Sequence, residues 1–265
     1  MKIFKKKWVR VLAIVLAAIL VIVGACAIYL GSYYRVDAEM AAVFAMPEGV
    51  TREVLEDGTV VFTPQNPKTG LIFYPGGKVE HTAYEPLLQK ISEYGVLCVL
   101  IEMPFRLAVL DSNAADGVQE KFPQIEHWYI GGHSLGGSMA ASYLEAHTDA
   151  FEGLVLLGAY STADLSESDL SVLSVWGSED GVMNREKYEE CLENLPTDFT
   201  EYIIDGGNHA YFGVYGEQDG DGEASISHER QIGMSGSRIG MFLQGWRWQS
   251  SDAQGRWWHV GAVSP

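Results

Sequence analysis

The stretch "HWYIGGHSLGGSMAASYLEAH", residues 127–147, decides the fold of this chain. It begins as a β-rich run, passes through Gly-His-Ser-Leu-Gly at 132–136 and continues as a helix-forming segment. A serine on a sharp strand-to-helix turn needs small neighbours, because the backbone is strained there and approaching side chains would clash. The two flanking glycines supply that space, which makes Ser134 a candidate nucleophile.

Short β-rich runs alternate with helix-forming runs along the rest of the chain. Several β-rich runs are apolar on both faces, as buried parallel strands are. The predicted strands cover residues 59–63, 71–75, 96–104, 128–132, 154–160, 171–177 and 201–205, and the predicted helices cover 83–94, 113–121, 137–147 and 184–194. This alternation predicts an α/β fold with a mostly parallel, doubly wound sheet of about seven strands. The short connections predict no large lid domain.

A hydroxyl is a poor nucleophile at neutral pH, so Ser134 requires a histidine base that is held by a carboxylate. In this kind of sheet both partners follow later strands at the carboxyl edge, in the order serine, acid, histidine. Asp180 comes just after the predicted strand 171–177, and His209 comes just after the predicted strand 201–205. We therefore predict that Ser134, Asp180 and His209 form a catalytic triad.

Other residues fit these roles less well by position. For the acid, Glu179 is one residue away and Glu102 ends an earlier strand. His127 lies at the start of a strand, and His133 only fills the serine motif. The remaining histidines follow no strand end: His81, His147, His228 and His259.

Acyl transfer also needs two backbone N–H groups that stabilise the oxyanion. In related sites one comes from the residue after the nucleophile, here Leu135, and the other from the loop after an earlier strand. That loop is "YPGGKV", residues 74–79, whose glycines allow a close approach. We predict an oxyanion hole formed by Leu135 with the amide of Gly77 or Lys78. The alternative is that the loop is only a turn.

The chain resembles an α/β-hydrolase, and more narrowly the membrane-anchored bacterial group labelled α/β-hydrolase fold 5. The resemblance lies in "LIFYPGGKVEHTAYEPLL", "VLCVLIEMPFRLAVL", "HWYIGGHSLGGSMAASY", "GSEDGVMNREKYE" and "IIDGGNHAYFGVYGEQDGDGEASIS", and it covers about residues 50–230. It implies Ser134 as the nucleophile, Asp180 as the acid and His209 as the base. It implies no particular substrate.

The first 35 residues belong to a different class of sequence. Residues 11–30 are uncharged and mostly apolar, which is long enough to cross a bilayer as a helix. Five cationic residues precede this run and only Arg35 follows closely, which predicts a cytoplasmic N-terminus and an extracytoplasmic domain. The alternatives are a cleaved signal peptide and a lipoprotein attached at Cys26, since residues 23–26 read Val-Gly-Ala-Cys.

Charge and composition restrict the possible partners. Residues 1–35 hold six of the 18 cationic residues and none of the 35 acidic ones, so the remainder carries a formal net charge of −23. Such a surface repels phosphate backbones, which argues against a nucleic-acid partner. The three cysteines lack metal-like spacing, so we expect reduced thiols and no zinc site. Asp219, Asp221 and Glu223 do not complete an EF-hand spacing, so we predict a solvated acidic turn and no metal.

The C-terminal segment differs from the rest of the chain. Gly233, Gly236 and Gly240 stand where a helix is expected, and each disfavours a helix by about 1 kcal/mol relative to alanine. Residues 232–265 hold four of the seven tryptophans and a net charge of +2. We hypothesise that residues after about Gln231 are not native family sequence, as a reading-frame shift would produce. The alternative is a divergent tail that docks its tryptophans on the core or on the membrane surface.

These observations predict a membrane-tethered serine hydrolase that cleaves a carboxylic ester or related acyl bond of a small-molecule substrate. The mechanism passes through an acyl-enzyme and requires no cofactor. The alternatives are an acyltransferase with the same triad and a non-catalytic α/β-hydrolase-fold binding protein. The predicted segments are a cytoplasmic basic segment (1–10), a transmembrane anchor (11–30), a stalk (31–50), a hydrolase domain (51–231) and an atypical tail (232–265).

Overall fold

The computed structural model describes residues 2–246, 248–249 and 258–259 of the chain. The chain forms two units, Met1–Tyr33 and Tyr34–Pro265. The first unit is built on one helix, whereas the second contains a β-sheet with helices packed on it.

Helix α1 (Lys2–Gly31) makes up the first unit. Its segment Arg10–Gly31 has 22 residues and a mean hydropathy of 3.2, and its apolar side chains are exposed. This length and composition suit a membrane span, and a signal sequence near an N-terminus has the same properties. Cys26 is exposed on this helix, whereas Cys98 and Cys191 are buried in the second unit, and all three are free.

The second unit is an α/β structure built around one large sheet. Its strands are β1 (Thr51–Val54), β2 (Val60–Thr63), β3 (Thr69–Tyr74), β4 (Val96–Leu100), β5 (His127–His133), β6 (Gly153–Leu157), β7 (Ser171–Gly177) and β8 (Phe199–Ile204). They lie in the order β1-β2-β4-β3-β5-β6-β7-β8. Strands β3 to β8 are parallel, and β1 and β2 pair antiparallel at one side. The predicted α/β fold with a mostly parallel sheet is confirmed, with eight strands instead of about seven.

Helices connect these strands and cover both faces of the sheet. They are α2 (Ala38–Ala41), α3 (Glu85–Ser92), α4 (Leu135–Leu144), α5 (Arg185–Glu190) and α6 (His228–Leu243), and a separate pair of short strands, β9 (Trp248–Gln249) and β10 (Trp258–His259), follows. The helix predicted over 113–121 is wrong: turns replace it, with one 3-10 turn at Gln119–Lys121. Gly117 has a φ of +72° within it, which a right-handed helix does not allow.

The core lies on both faces of the sheet. Leu71 and Phe73 of β3 point into a cluster that includes residues of α3 and α6. Ile72 and Tyr74 of the same strand point into a second cluster with residues of α4 on the other face. Because side chains alternate along a strand, a strand covered on both faces must be apolar throughout. This burial explains why the β-rich runs of the sequence show little alternation.

Helix α6 extends to Leu243, through the segment that the glycine content led us to assign to the tail. It packs on α3 at Gly236 and on Tyr94, just after the end of α3, at Gly240. A Cβ atom at Gly236 would lie 2.5 Å from Lys90 Cγ, and one at Gly240 would lie 2.4 Å from Tyr94 Cδ2. The glycines therefore allow a close approach between helices, which propensity alone does not reveal. Of the tail beyond residue 246 only the backbone of β9 and β10 is described, so the frame-shift hypothesis falls mostly outside the described residues.

The segment predicted as a stalk is packed onto the second unit from Tyr34 onward. Tyr34 N–H donates to Lys78 O at 2.8 Å, and Glu80 N–H donates to Tyr34 O at 2.9 Å. Asp37 N–H donates to Val214 O at 2.8 Å. Apolar side chains of this segment also pack against the core: Tyr34, Val36, Met40, Ala41 and Phe44.

A closely packed glycine and an exposed glycine in α6 should respond in opposite ways to substitution by alanine. Gly240→Ala should destabilise the protein by about 1–3 kcal/mol, because the new methyl group overlaps Tyr94. Gly233→Ala is the matched control, since no atom lies within 4 Å of a Cβ atom there, and it should stabilise the helix by about 0.5–1 kcal/mol. Thermal unfolding followed by near-UV circular dichroism measures both. Equal stabilisation by the two changes would contradict the packing of α6 on α3.

Candidate active site

Ser134 occupies the turn between β5 and α4, with a φ of 53° and a ψ of −122°. Residues other than glycine rarely adopt a positive φ, and such strain persists only where the surroundings hold it. Here Ser134 N–H donates to Leu157 O at 2.9 Å, and Ser138 N–H donates to Ser134 O at 3.1 Å. The result is a strained, partly exposed serine at the carboxyl edge of the sheet.

Backbone crowding around this turn explains its glycines. A Cβ atom at Gly132 would lie 2.5 Å from Tyr74 O. One at Gly136 would lie 2.3 Å from both Tyr74 O and Pro75 O. Main-chain atoms leave no room for a side chain at either position, so the need for small neighbours comes from the loop after β3.

Asp180 and His209 meet in the loops that follow β7 and β8. His209 Nδ1 lies 2.8 Å from Asp180 Oδ2, and the two side chains are 1% and 0% exposed. The other carboxylate oxygen, Oδ1, accepts the N–H groups of Val182 at 2.9 Å and Met183 at 2.8 Å. Both oxygens of the acid are therefore engaged, and the imidazole is held through Nδ1.

Gly158 lies directly against this pair and has a φ of +50°. A Cβ atom there would be 2.9 Å from His209 Nδ1 and 3.0 Å from Asp180 Oδ2. Glycine is required for two reasons. The backbone is in the left-handed region, and a methyl group would clash with the two hydrogen-bonded atoms of His209 and Asp180.

His209 also lies beside the turn that carries Ser134. The rings of His133 and His209 have centroids 4.4 Å apart. Leu157, whose carbonyl accepts the Ser134 N–H, directly precedes Gly158 under the imidazole. His209 Nε2 is buried and has no hydrogen-bond partner among the described residues, so it makes no hydrogen bond to the serine in this structure. The three predicted residues share one edge of the sheet, with the acid–histidine contact formed and the histidine–serine contact not formed.

The loop after β3 lies against the first residue of α4. A Cβ atom at Gly77 would lie 2.9 Å from Leu135 Cδ2. Lys78 N–H donates to Arg106 O at 2.7 Å and is therefore engaged away from the serine. The N–H groups of Gly77 and Leu135 donate to no acceptor within the described ranges. Of the two amides predicted as alternatives, the geometry favours Gly77 over Lys78.

A buried hydroxyl links the serine turn to the same loop. Tyr84 Oη accepts the Gly76 N–H at 3.2 Å and lies 2.8 Å from His133 Nδ1. Burial, together with the neighbouring His209, holds the pKa of His133 well below its usual range, so this imidazole is neutral near pH 7. His133, which the sequence indicated only as a motif filler, therefore connects two parts of the site. Nothing local in the sequence marks Tyr84 as its partner.

The carboxylate of Asp221 braces the loops that carry the acid and the histidine. Its Oδ1 accepts the N–H groups of Gly181 and His209, both at 3.1 Å, and its Oδ2 accepts the N–H of Ala210 at 2.8 Å. The backbones approach closely, since a Cβ atom at Gly181 would lie 2.7 Å from Gly220 O.

Asp219 and Glu223 of the predicted acidic turn are exposed, whereas Asp221 is half-buried and its carboxylate is hydrogen-bonded. Within the described part of the chain, no group of three His, Cys, Asp or Glu side chains could hold a metal ion. The sequence gives no signal that Asp221 braces these loops, because Asp219, Asp221 and Glu223 are acidic residues in the same local context.

The order of serine turn, acid and histidine along a mostly parallel sheet defines the α/β class of hydrolase folds. Residues 70–233 match the alpha/beta hydrolase family, and the chain belongs to this family, which confirms the resemblance predicted from the sequence. Among solved structures, the chain is similar to a predicted CIB-like hydrolase from Thermoplasma acidophilum, with 14% identity and a TM-score of 0.50 over 72% of this chain and 98% of that one.

It is also similar to a dienelactone hydrolase from Anabaena variabilis, with 13% identity and a TM-score of 0.55 over 74% of this chain and 98% of that one. At these identities the similarity shows the fold. No curated protein matches the chain.

Removing the charge of Asp221 should loosen both loops. Asp221→Asn places an N–H₂ group opposite backbone donors, and we expect a loss of about 2–4 kcal/mol of stability, because hydrogen bonds to charged groups contribute about 1.5–3 kcal/mol each. The low-field proton resonance of the hydrogen bond between His209 and Asp180 should weaken in the NMR spectrum. Asp219→Asn is the control, since no hydrogen bond of its carboxylate is described. An unchanged resonance in Asp221→Asn would argue against the bracing role.

Proposed function

We propose that the protein is a membrane-tethered serine hydrolase that cleaves a carboxylic ester or a related acyl bond through an acyl-enzyme. Membership of the alpha/beta hydrolase family supports hydrolase chemistry in general. One observation supports a serine mechanism in particular: the buried 2.8 Å contact between His209 Nδ1 and Asp180 Oδ2 beside the strained turn of Ser134. A histidine held by a carboxylate next to a partly exposed serine hydroxyl is the arrangement that activates serine.

The first half of the reaction forms the acyl-enzyme. Ser134 Oγ attacks the ester carbonyl carbon while His209 Nε2 takes the hydroxyl proton. Asp180 stabilises the imidazolium through Nδ1. The buried, unpartnered Nε2 supports this step, because a polar atom without a partner is costly unless a reacting group completes it. In the proposed step Ser134 Oγ reaches this atom, and such contacts are often long before substrate binds.

The oxyanion that forms next is received by the N–H groups of Leu135 and Gly77. Each such donor contributes roughly 3 kcal/mol to stabilisation of the transition state. The imidazolium of His209 then gives its proton to the leaving alcohol. In the second half, water attacks the acyl-enzyme, His209 takes a proton from this water, and the carboxylic acid leaves as Ser134 regains its proton.

The nucleophile is tested with a fluorophosphonate probe, which reacts with activated serines. Wild type should be labelled, and Ser134→Ala should lose the label completely. Ser142→Ala on the same helix is the control and should keep it, because Ser142 Oγ is engaged with Ser138 O at 3.1 Å. Asp180→Asn should reduce kcat on p-nitrophenyl esters by about 10³–10⁴-fold. Labelling of Ser134→Ala would exclude the proposed nucleophile, and a wild type without label would favour the non-catalytic binding protein.

The same ester assay separates hydrolase from acyltransferase. The acyl length preference comes from a series of p-nitrophenyl esters, and product analysis with an added alcohol shows where the acyl group goes. Transfer to the alcohol at the expense of free acid would favour the acyltransferase.

The tether is assigned to Arg10–Gly31, on the basis of its length, its hydropathy and the cationic residues before it. The full chain should remain with the membrane fraction after carbonate extraction, and its domain should be open to protease added outside the cell. Cys26→Ser should change neither result. Release of Cys26→Ser from the membrane would instead favour a lipoprotein, and a soluble wild type shortened at its N-terminus would favour a cleaved signal peptide.

A further inference from the structure

The peptide that carries the Gly77 N–H lies between two glycines, Gly76 and Gly77. Glycine has no Cβ atom, so its φ and ψ are restricted less than those of any other residue. A peptide turned the other way would place a carbonyl oxygen where the candidate oxyanion donor is required. The direction of the Gly77 N–H must therefore be set by contacts of this loop, because backbone stiffness does not set it.

Gly76 is held at both of its polar backbone atoms. Its N–H donates to Tyr84 Oη at 3.2 Å, and its carbonyl oxygen accepts the Val79 N–H at 3.3 Å. A Cβ atom at Gly76 would lie 2.5 Å from Tyr84 Oη and 2.7 Å from His133 Nδ1. The carbonyl of Gly76 and the N–H of Gly77 belong to one planar trans peptide and point in opposite directions. Contacts that fix Gly76 therefore also fix the direction of the Gly77 N–H.

The Tyr84 side chain is itself fixed by packing. It is fully buried, and its ring contacts three other rings, Phe73, His133 and Tyr215, with centroids 5.5, 5.6 and 6.2 Å away. Burial raises the pKa of the Tyr84 hydroxyl, so this group stays protonated at neutral pH. A ring packed in this way holds its hydroxyl in place, which makes Tyr84 Oη a stationary acceptor for the Gly76 N–H.

His133 holds the Tyr84 hydroxyl from the side of the serine turn. Its Nδ1 lies 2.8 Å from Tyr84 Oη, and one hydrogen lies between these atoms in either tautomer of the imidazole. His133 directly precedes Ser134, and its ring centroid lies 4.4 Å from that of His209. One buried hydroxyl therefore contacts the residue before the candidate oxyanion donor and the residue before the candidate nucleophile.

We propose that Tyr84 is a positioning residue for the oxyanion hole. Its hydroxyl, held by His133, fixes Gly76 so that the Gly77 N–H points at the developing oxyanion. The proposal rests on the proposed function, since it assigns Tyr84 a part in the attack of Ser134 on an acyl carbon. Because the oxyanion exists only in the transition state and the intermediate that follows, loss of this positioning lowers kcat and leaves KM unchanged.

Tyr84→Phe keeps the ring and removes only the hydroxyl. It should lower kcat on p-nitrophenyl acetate by about 10- to 100-fold and leave KM within about twofold, since complete removal of an oxyanion donor costs about 10²–10³-fold in kcat. Rates are divided by the number of sites that a fluorophosphonate labels at completion, which corrects for unfolded protein. Tyr143→Phe is the matched control. It removes another buried hydroxyl, which donates to Asp116 Oδ1 at 2.8 Å, and should keep kcat within about twofold.

Two further measurements separate a positioning role from a structural one. Ser134 Oγ adds to the carbonyl carbon of a trifluoromethyl ketone as its proton passes to His209, and the adduct carries an oxyanion. The Ki of this ketone should rise in Tyr84→Phe by about the factor by which kcat falls. The low-field proton resonance of the hydrogen bond between His209 and Asp180 should persist, because that contact does not involve Tyr84.

His133 tests the same contact from its other side, and does so even if Tyr84→Phe does not fold. Asparagine and leucine have nearly the same shape, but only asparagine places a polar group near the position of Nδ1. His133→Asn should therefore retain a kcat at least about fivefold above that of His133→Leu, since it still offers Tyr84 Oη a hydrogen-bond partner.

The outcomes separate this proposal from the function on which it rests. Unchanged kcat and Ki in Tyr84→Phe, in a protein that a fluorophosphonate still labels at Ser134, would overturn the positioning role and leave the hydrolase intact. A raised KM with an unchanged kcat would overturn it too, because the loss would then lie in substrate binding. Equal kcat in the two His133 variants would exclude His133 as the group that holds Tyr84. Absence of labelling in wild type would instead count against the serine hydrolase itself.

Discussion

The strained backbone at Ser134 is the constraint on which the rest of the site depends. Its φ of 53° is held by hydrogen bonds to β6 and within the first turn of α4. Main-chain atoms at the end of β3 lie against this turn and leave room only for glycine at positions 132 and 136. That same contact brings Gly77 to Leu135, so the strain at Ser134 and the position of the two candidate oxyanion donors have one origin.

The sheet provides the rigidity that such strain requires. Strands β3, β5 and β6 lie side by side, and their central residues are buried on both faces. Strained conformations persist where the surroundings over-determine them, and a doubly covered parallel sheet is such a surrounding. The loops after β7 and β8 are joined by a hydrogen-bonded brace, the carboxylate of Asp221.

The alternation of β-rich and helix-forming runs was sufficient to predict the fold. The candidate site could be predicted because strand ends in a parallel sheet meet at one edge. This rule selected Asp180 and His209, and their 2.8 Å contact agrees with it, although their roles stay predictions. Contacts between residues that are far apart along the chain could not be predicted from the sequence. Asp221 is twelve residues from His209, and Lys78 is bonded to a loop 28 positions away. The glycines of α6 led to the prediction of an atypical tail, because helix propensity ignores the closely packed neighbour that makes a glycine favourable.

The pairing of Tyr34 with Lys78 and Glu80 has a consequence for any cleavage that separates α1 from the second unit. Proteolysis just after Tyr34 would free the second unit and, in the same cut, leave Tyr34, which pairs with the loop after β3, on the other fragment. Loss of α1 and loss of the two backbone hydrogen bonds that Tyr34 makes to this loop are therefore coupled events. A unit released in this way would lack one of the supports of the loop that carries Gly77.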